Sequence, residues 1–510
     1  MIKSISKEKQ LVINTIASLI VFGINLVISF FVTPYITESI GAEAYGFVSL
    51  ANSFVNYATI ITIALNSVGG RFISIEYHKG NKEQASKYLS SVFFSNVFMS
   101  VLVIIASAAI IFNLEDILNI SPHLVIDVKL LFIFIFLNFV VSILSTVFSV
   151  ATFITNKLYM SNIANVLGVV VRIVLLFALF ARFSPIIYFV GLTSVIGTIV
   201  VAACNIFYTK ILTPELKVKK KYFSVKLTKE LFSAGIWSSI TKFGQVLSDG
   251  LDLLISNIFI NSFVMGQLSI AKTVGNIMSI LLSTVSSLFA PNLTMYYAKG
   301  EIKKLVSGLK MRMKFTGFFA NIPFCVFIVW GYEFFNLWVP SQDISLIYAL
   351  AVLTIQAILI SGVSTPLINV FLITNKLKVN SLFWLAISVF DIIIVILLLN
   401  LTDIGIFAIA GVSTLVGFIC NLTFVPIYTS VCLGVKKTEF YPIICRYIAT
   451  TIVILAVLFL GKSFVTFKIT WMMLIVYCGI STIIALAINT GLFLNKHERK
   501  KLLEKLMIKK

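Results

Sequence analysis

The sequence has few charged residues and no long polar stretch. Asp, Glu, Lys and Arg make up only 12% of the 510 residues, whereas 59% are hydrophobic and the mean hydropathy is +1.04. A soluble globular domain carries about twice that share of charge. The shortage of charge therefore excludes a soluble protein and predicts an all-α polytopic membrane protein.

Cysteine pairs, histidine clusters and nucleotide-binding loops are also missing. The six cysteines lie within or at the ends of apolar runs without a CxxC motif, and His78, His123 and His497 are scattered. Neither a disulfide, a metal site nor any other cofactor is predicted. Because Walker-type glycine loops and loop acid pairs suited to glycosyl chemistry are absent, ATP hydrolysis is not expected, and the sequence does not indicate an enzyme.

Apolar runs of membrane-spanning length recur along the whole chain. About 20 apolar residues cross a bilayer core, and on this scale we predict fourteen transmembrane helices. The predicted spans are 12–37, 46–70, 88–113, 126–154, 159–181, 185–209, 231–259, 264–291, 314–338, 344–373, 379–400, 405–433, 443–464 and 469–494.

The basic residues fall mainly on one predicted side of the membrane. With a cytoplasmic N-terminus, 33 of the 40 Lys and Arg residues lie inside and four lie in outside loops. The three within spans are Arg172, Lys242 and Lys272. Short basic loops stay cytoplasmic, so both termini are predicted inside. This topology explains the net charge of +20 without a nucleic-acid partner.

One stretch of the sequence occurs twice. Residues 46–80 align without a gap with residues 266–300, and nine of the 35 pairs are identical. Each copy carries a polar stripe at helical spacing, namely Ser49, Asn52, Ser53, Asn56 and Thr59 in the first and Ser269, Lys272, Thr273, Asn276 and Ser279 in the second. Such a stripe in an apolar span faces protein or water rather than lipid. We therefore predict two repeated lobes whose polar faces turn inward.

The longest predicted cytoplasmic loop, KILTPELKVKKKYFSVKLTK at residues 210–229, separates the two lobes. Its cations are interpreted as topology determinants in preference to contacts with an anionic headgroup or a glycan diphosphate. The predicted organisation is an N-terminal six-helix lobe at 1–213, a basic inter-lobe loop at 214–230, a C-terminal six-helix lobe at 231–433, helices 13 and 14 at 434–495 and a basic cytoplasmic tail at 496–510.

The seventh span carries a continuous polar line. Ser238, Lys242, Gln245, Asp249 and Asp252 recur at steps of four, three, four and three, which places them on one helix face. At 1.5 Å per residue, Lys242 lies about 16 Å from the cytoplasmic end, and Lys272 of the next span comes to a similar depth. The two lysines either bind a phosphate group or pair with Asp249 or Asp252 as a structural contact.

Two further charges lie within predicted spans. Arg172 in span five and Asp391 in span eleven are 219 positions apart, so they occupy nearly equivalent places in the two lobes. They either pair across the lobes or are each satisfied within one lobe, and the second alternative is slightly favoured.

The motifs FFVTPYITESIGAEAYGFVSLANSF, FSAGIWSSITKFGQVLSDGLDLLISNIF and MGQLSIAKTVGNI, together with the helix count, resemble a known family. They are similar to the polysaccharide transporter branch of the multidrug/oligosaccharidyl-lipid/polysaccharide (MOP) superfamily, which includes O-antigen and capsule-repeat flippases. The resemblance implies a central cavity lined by helices one, two, seven and eight, with the last helix pair outside the core. It also implies alternating-access transfer of a sugar chain on undecaprenyl diphosphate across the bacterial plasma membrane.

On this resemblance the polar residues receive candidate roles. Substrate-cavity residues are Asn25, Asn52, Asn56, Lys242, Gln245, Lys272, Asn276 and Arg172, and ion-coupling residues are Asp249, Asp252 and Asp391. The implied partners are the lipid-linked oligosaccharide, membrane lipids and other polysaccharide assembly proteins. A cation-coupled multidrug exporter of the same superfamily is the alternative; a membrane-embedded polymerase is disfavoured because the predicted outside loops are short.

Overall fold

The structure is a computed structural model that describes residues 7–287, 293, 296, 297, 300–374, 376–465 and 469–494. These residues form α-helices joined by short connections, and no β-strand occurs among them. The predicted all-α class is confirmed. The tail predicted at 496–510 lies outside the described residues.

Seventeen α-helices are found in the described part of the chain. The first ten are α1 (Lys7–His78), α2 (Lys82–Phe112), α3 (Leu114–Ile117), α4 (Val125–Thr146), α5 (Val150–Ile154), α6 (Leu158–Arg182), α7 (Tyr188–Leu212), α8 (Val225–Gln245), α9 (Asp252–Phe259) and α10 (Ser262–Ser287). The others are α11 (Ile302–Trp338), α12 (Ile344–Ile373), α13 (Leu377–Leu401), α14 (Ile406–Leu422), α15 (Phe424–Leu433), α16 (Tyr441–Lys462) and α17 (Trp471–Ile488).

Short turns of other helical types link these elements. Turns of 3₁₀-helix are Pro122–Leu124, Val147–Ser149 and Lys220–Tyr222, and turns of π-helix are Val246–Gly250 and Asn489–Phe493.

Eleven helical stretches among the described residues are long and apolar enough to cross a membrane. The protein is therefore a multi-pass membrane protein, although the predicted count of fourteen spans is not confirmed. Predicted spans 12–37 and 46–70 both fall within α1. Predicted spans 231–259 and 264–291 fall, as far as residue 287, on α8 to α10, which are helical but are not among the eleven, and residues 288–291 lie outside the described part of the chain. These are the helices that carry the polar line and the second polar stripe.

The first two predicted spans meet at a glycine. Gly41 has φ 88° and ψ 161° inside α1, and this single non-helical residue bends the element. Only glycine adopts such a conformation at low cost because it has no Cβ. The sequence predicts a connecting loop between residues 37 and 46, whereas the structure bends within a nearly continuous helix.

The helices pack as two compact units. Unit 1 comprises Met1–Gly266 with Ser381–Ile392, and unit 2 comprises Gln267–Asn380 with Ile393–Lys510. The core of unit 1 includes Leu65, Ile73, Leu89, Val92 and Leu231, and that of unit 2 includes Leu309, Leu367, Phe440, Tyr447 and Phe493. The lobe boundaries at residues 213 and 231 stay a prediction, because the units follow packing whereas the predicted lobes follow the sequence repeat.

Candidate functional site: the α1–α8 pair

Helix α8 changes its winding in the middle of the predicted seventh span. Its N-terminus is capped by Ser224, it ends at Gln245, and the π-helical turn Val246–Gly250 leads to α9. Wider π-turns inside membrane helices are often found at functional sites. The turn also interrupts the predicted straight polar line, because residues after Gln245 no longer follow the α-helical step.

Helix α1 packs along one face of α8. A Cβ on Gly235 would overlap the carbonyl oxygen of Ala64, so only glycine permits this approach. One turn further, Ser239 Oγ donates a 2.7 Å hydrogen bond to the carbonyl of Ile60. Lys242 follows Ser239 by three residues and Gly235 by seven, so it lies on the same face of α8. The predicted cationic residue is thus beside α1.

Residues 381–392 of α13 cover the other face of α8. Thr241 Oγ1 and Ser381 Oγ are 2.7 Å apart, and Ser388 Oγ donates a 2.9 Å hydrogen bond to the carbonyl of Gly244. Asp391 follows Ser388 by three residues and therefore lies on the same side of α13. Its side chain is only 2% exposed. A buried acid consequently sits on the face of α13 that contacts α8.

Five predicted cavity residues lie on the packed pair α1 and α8, and the side chains of four of them are described. Lys242 is half-buried, whereas Gln245, Asn52 and Asn56 are exposed. None of the ion pairs between described residues includes Lys242. Asn52 Nδ2 donates a 2.8 Å hydrogen bond to the carbonyl of Val48, so part of this amide serves its own helix. Lys242 is the only charged residue of these four, so it is the strongest candidate for binding an anionic ligand.

The corresponding residues of α10 belong to unit 2. Lys272 is half-buried and Asn276 is exposed. The intervening Gly275 packs towards Ile355 and Ile358 of α12, where a Cβ would meet each side chain at 3.7 Å. The equal depth of Lys242 and Lys272 stays a prediction. The side chains of two further candidates, Asn25 and Asp249, lie outside the described residues.

Arg172 is held at a close crossing of α6 and α7. A Cβ on Gly168 would lie 2.7 Å from the carbonyl oxygen of Gly197, and one on Gly197 would lie 3.2 Å from Cβ of Arg172. The half-buried guanidinium interacts electrostatically with Tyr45 of α1, and the ion pairs of the described residues do not include it. Pairing of Arg172 with Asp391 therefore stays a prediction.

Asp252 lies where the π-helical turn ends. It is 7% exposed and interacts electrostatically with Tyr57, whose hydroxyl donates a 2.6 Å hydrogen bond to the carbonyl of Gly250. A buried carboxylate is costly unless a proton, a cation or hydrogen bonds compensate it. The described residues contain no group of three or more His, Cys, Asp or Glu able to hold a metal ion. Asp252 also has an interaction partner within the protein, and its role in ion coupling stays a prediction.

A set of contacts that the sequence reasoning missed lies beyond Asp252, at the end of unit 1 that contains the α1 bend. We call this region the Gly41 end. A Cβ on Gly46 would lie 2.7 Å from Cα of Gly266, and a Cβ on Gly266 would overlap the backbone of Ala42. Gly46 and Gly266 are aligned positions of the sequence repeat. Their identity in the two copies was the available signal for this contact.

Polar groups reinforce the Gly41 end. Glu43 Oε1 accepts hydrogen bonds of 2.7 Å from both Ser121 Oγ and Ser262 Oγ. Asn119 donates its backbone N–H to Asn257 Oδ1 at 2.9 Å, and Asn257 Nδ2 donates back to the carbonyl of Asn119 at 3.1 Å. These residues sit in predicted connections or at span ends, where no periodic pattern marks them. Unit 1 is therefore tightly closed at this end.

Sequence comparison matches the chain to one protein family and to one curated relative. A family described as "Polysaccharide biosynthesis protein" matches residues 11–296. The Bacillus subtilis (strain 168) protein named "Uncharacterized membrane protein EpsK" is 28% identical over 428 residues, which cover 84% of this chain and 85% of that protein.

Solved structures share the fold at low sequence identity. The lipid II flippase MurJ in an inward closed conformation matches with a TM-score of 0.65 and 15% identity, covering 94% of this chain and 98% of its own. An inward-facing multidrug resistance MATE family transporter of the MOP superfamily matches with a TM-score of 0.62 and 13% identity, covering 78% and 93%. By name these neighbours are a flippase and a transporter.

The family match spans more than half of the chain and begins in α1, so it includes the α1–α8 pair. The fold shared with MurJ and MATE transporters agrees with it. The predicted resemblance to a polysaccharide family is thereby confirmed, and this chain belongs to the polysaccharide biosynthesis protein family.

Proposed function

We propose that this protein is a flippase for an oligosaccharide repeat unit linked to undecaprenyl diphosphate. It would take the lipid-linked sugar from the inner leaflet of the bacterial plasma membrane and deliver it to the outer leaflet by alternating access. The product would serve the assembly of O-antigen, capsule or exopolysaccharide. Family membership and the flippase-like fold support this class of transport.

The observation that carries the proposal is the polar character of α8. This helix crosses unit 1 with Lys242 half-buried and Gln245 exposed, and the exposed Asn52 and Asn56 lie on the adjoining α1. A charged group within a membrane span is costly and usually faces a cavity or a partner. A wall of one cation and several amides suits a ligand that combines phosphate with sugar hydroxyls.

A diphosphate that crosses the bilayer must exchange its hydration shell for fixed donors or counter-charge. Lys242 supplies one such charge, and Lys272 is proposed as the second. Arg172 is the next candidate should neither lysine bind the substrate. Asn25 and Asn276 complete the proposed cavity as uncharged hydrogen-bonding groups.

The hydrocarbon tail of such a substrate needs an apolar path. In unit 2, α11 and α17 border a groove of about 520 Å³ lined mainly by apolar side chains, including Phe319, Pro323, Phe334, Leu474 and Leu486. One of its two helices, α17, belongs to the helix pair that the family resemblance places outside the core, and the other, α11, belongs to the predicted C-terminal lobe. We propose that it accommodates part of the polyprenyl chain while the head group is in the cavity.

The acidic residues supply the coupling part of the proposal. Asp252 and Asp391 are buried in unit 1, and Asp249 follows them as a third candidate. Protonation of one of these acids, or binding of a cation to it, would change the charge that crosses the membrane. Each charge contributes about 2.3 kcal/mol per 100 mV of membrane potential to the return of the empty carrier.

The second candidate is a cation-coupled multidrug exporter of the same superfamily. The buried acids Asp252 and Asp391 and the fold likeness to a MATE transporter favour it. Such an exporter needs no cation for a diphosphate, so its activity would be indifferent to the charge at Lys242. The two candidates therefore differ in the ligand that should accumulate in a deletion strain.

The deciding experiment deletes the gene and follows both ligands. Flippase function predicts that lipid-linked repeat units accumulate on the cytoplasmic leaflet and that the intact gene restores export. Accumulation of a drug with normal delivery of repeat units would instead select the exporter.

The proposed direction requires both termini and the inter-lobe loop to be cytoplasmic. Single cysteines at Glu115, Asp343 and Asp403 should react with an impermeant thiol reagent in intact cells, whereas one at Lys220 should react only after lysis. Labelling at Lys220 in intact cells would reverse the orientation. The labelling is independent of substrate identity, so it tests topology alone.

A further inference from the structure

The linker before α8 is fixed to α2 by serine side chains. Ser86 Oγ accepts a hydrogen bond from the backbone N–H of Lys217 at 3.3 Å, and Ser90 Oγ accepts one from that of Lys219 at 3.1 Å. Ser90 Oγ also donates to the carbonyl of Lys217 at 3.3 Å. Ser86 and Ser90 are one helical turn apart, so they present hydroxyls to the linker at regular intervals. The basic linker is therefore held against α2 and is an ordered part of unit 1.

Phe223, at the end of this linker, lines an apolar groove of about 650 Å³. The groove lies between α2 and α8 over α1, and its lining includes Leu65, Phe94, Phe98, Phe223, Phe232 and Ile236. Phe98 is 60% exposed, so its aromatic ring offers apolar surface that a lipid chain can cover. The volume falls within the roughly 300–1,000 Å³ of small-molecule sites.

The mouth of the groove is polar and cationic. Lys229 and Thr228 line it, and Thr228 Oγ1 is 3.2 Å from Ser95 Oγ. These residues belong to the first turns of α8, whose N-terminus carries partial positive charge. The acid beside them, Glu230, accepts a 3.1 Å hydrogen bond from the hydroxyl of Tyr88. A hydrogen bond from a neutral hydroxyl leaves Glu230 negatively charged, but residues 214–230 carry six lysines against two glutamates, so the linker and the first turns of α8 are net positive.

We propose that this groove binds an anionic glycerophospholipid of the surrounding bilayer. One hydrocarbon chain lies against the aromatic lining, and the phosphate meets Lys229 and the N-terminus of α8. The complementary charges favour a lipid with net negative charge, because the ammonium of a zwitterionic lipid would face the lysine-rich linker. The bound lipid braces α8 against α2, next to the helix that carries Lys242.

The proposed site makes a prediction that needs no transport assay. A tryptophan probe replaces Phe98, and brominated phosphatidylglycerol or brominated phosphatidylcholine is titrated into vesicles of otherwise unbrominated phosphatidylcholine. We expect phosphatidylglycerol to quench the probe at about five-fold lower mole fraction, which corresponds to one lysine near an anionic lipid. A control probe replaces Phe407, which is also exposed but has no lysine within four positions, and should be quenched equally by both lipids.

Two variants locate the binding. Lys229→Gln in the Phe98→Trp protein should remove the preference for phosphatidylglycerol, whereas Lys303→Gln, a matched exposed lysine in unit 2, should keep it. Ser233→Leu, which fills the groove without changing charge, should reduce quenching by both lipids.

Equal quenching by both lipids at Phe98→Trp, or a preference that survives Lys229→Gln, would overturn the proposal. Displacement of brominated phosphatidylglycerol by equimolar undecaprenyl phosphate would overturn it as well, because the groove would then belong to the polyprenyl lipid. These outcomes leave the flippase proposal intact, since lipid-linked repeat units need not pass through this groove.

Discussion

Two regions of unit 1, both of which include α1, differ in how they use their polar groups. At the Gly41 end, Gly46 and Gly266 bring backbones into contact, and the carboxylate of Glu43 joins Ser121 and Ser262. In the last turn of α8, Lys242 and Gln245 remain partly or fully uncovered although the helix is packed on two faces. One region is closed by complementary contacts, and the other keeps polar groups available.

In the proposed mechanism, this difference distinguishes a gate that opens, the Gly41 end, from a fixed wall of the cavity, the α1–α8 pair. Small residues and neutral-to-acid hydrogen bonds can part and reform, because each contributes only about 0.5–3 kcal/mol. The α1–α8 contact is also made by a glycine and a hydroxyl, Gly235 and Ser239, but it contains no carboxylate and it holds the polar residues of both helices side by side. In the proposed transport cycle, the Gly41 end opens to release the sugar while the α1–α8 pair provides binding groups.

The largest effect is expected from tying the Gly41 end shut. Glu43→Cys with Ser262→Cys places two thiols where the native side chains are hydrogen-bonded. A short, reducible bifunctional thiol reagent should bring export to background, and reductant should restore it, because release requires this end to part. Controls are the parent, with its six native cysteines, and each single variant under the same reagent. Full export by the cross-linked protein would show that release occurs elsewhere.

A smaller effect is expected when the glycine contact is crowded. Gly46→Ala adds a methyl group 2.7 Å from Cα of Gly266 and should destabilise the closed arrangement by about 1–3 kcal/mol. Gly479→Ala is the matched control, since nothing lies within 4 Å of a Cβ at this position in α17. Thermal unfolding and cysteine accessibility at residue 262 report the change. If both variants behave alike, the Gly46 contact has no energetic role.

The smallest effect is expected from neutralising Glu43. Glu43→Gln keeps an oxygen that accepts hydrogen bonds from Ser121 and Ser262 but loses the charge, and charge-assisted hydrogen bonds are about twice as strong as neutral ones. We expect a loss of about 1 kcal/mol in stability and a modest rise in accessibility at the Gly41 end. Glu301→Gln, in a connection of unit 2, is the control. An effect as large as that of Gly46→Ala would show that the charge of Glu43 dominates the stability of the Gly41 end.

Much of the fold follows from the lengths of apolar runs. The predicted span 344–373 coincides with Ile344–Ile373, and the prediction 379–400 differs by two residues or fewer from Leu377–Leu401. Bilayer thickness imposes these lengths, so composition reveals them. The bend at Gly41 and the π-helical turn at Val246–Gly250 depend on a few dihedral angles, and no apolar period encodes them.

The candidate site was predictable in its residue types but not in its neighbours. Intramembrane charge singled out Lys242, Asp252 and Asp391 in the sequence. Asp391 belongs to a segment that packs on α8 through the contact of Ser388 with Gly244. Because these two residues are 144 positions apart, the sequence pattern does not reveal this tertiary contact. Glu43 was missed because it lies between two predicted spans, where an acid is expected to be merely solvated.

Charge at position 242 tests the account most directly. Wild type, Lys242→Arg and Lys242→Gln are reconstituted in vesicles, and transfer of a lipid-linked repeat unit between leaflets is measured. We predict that Lys242→Gln lowers the transfer rate at least about thirty-fold, which corresponds to the 2 kcal/mol or more that loss of a desolvated charge contact costs. Lys242→Arg should keep most of the rate, and Lys303→Gln should be unchanged. Normal transfer by Lys242→Gln would contradict a cationic diphosphate site on α8.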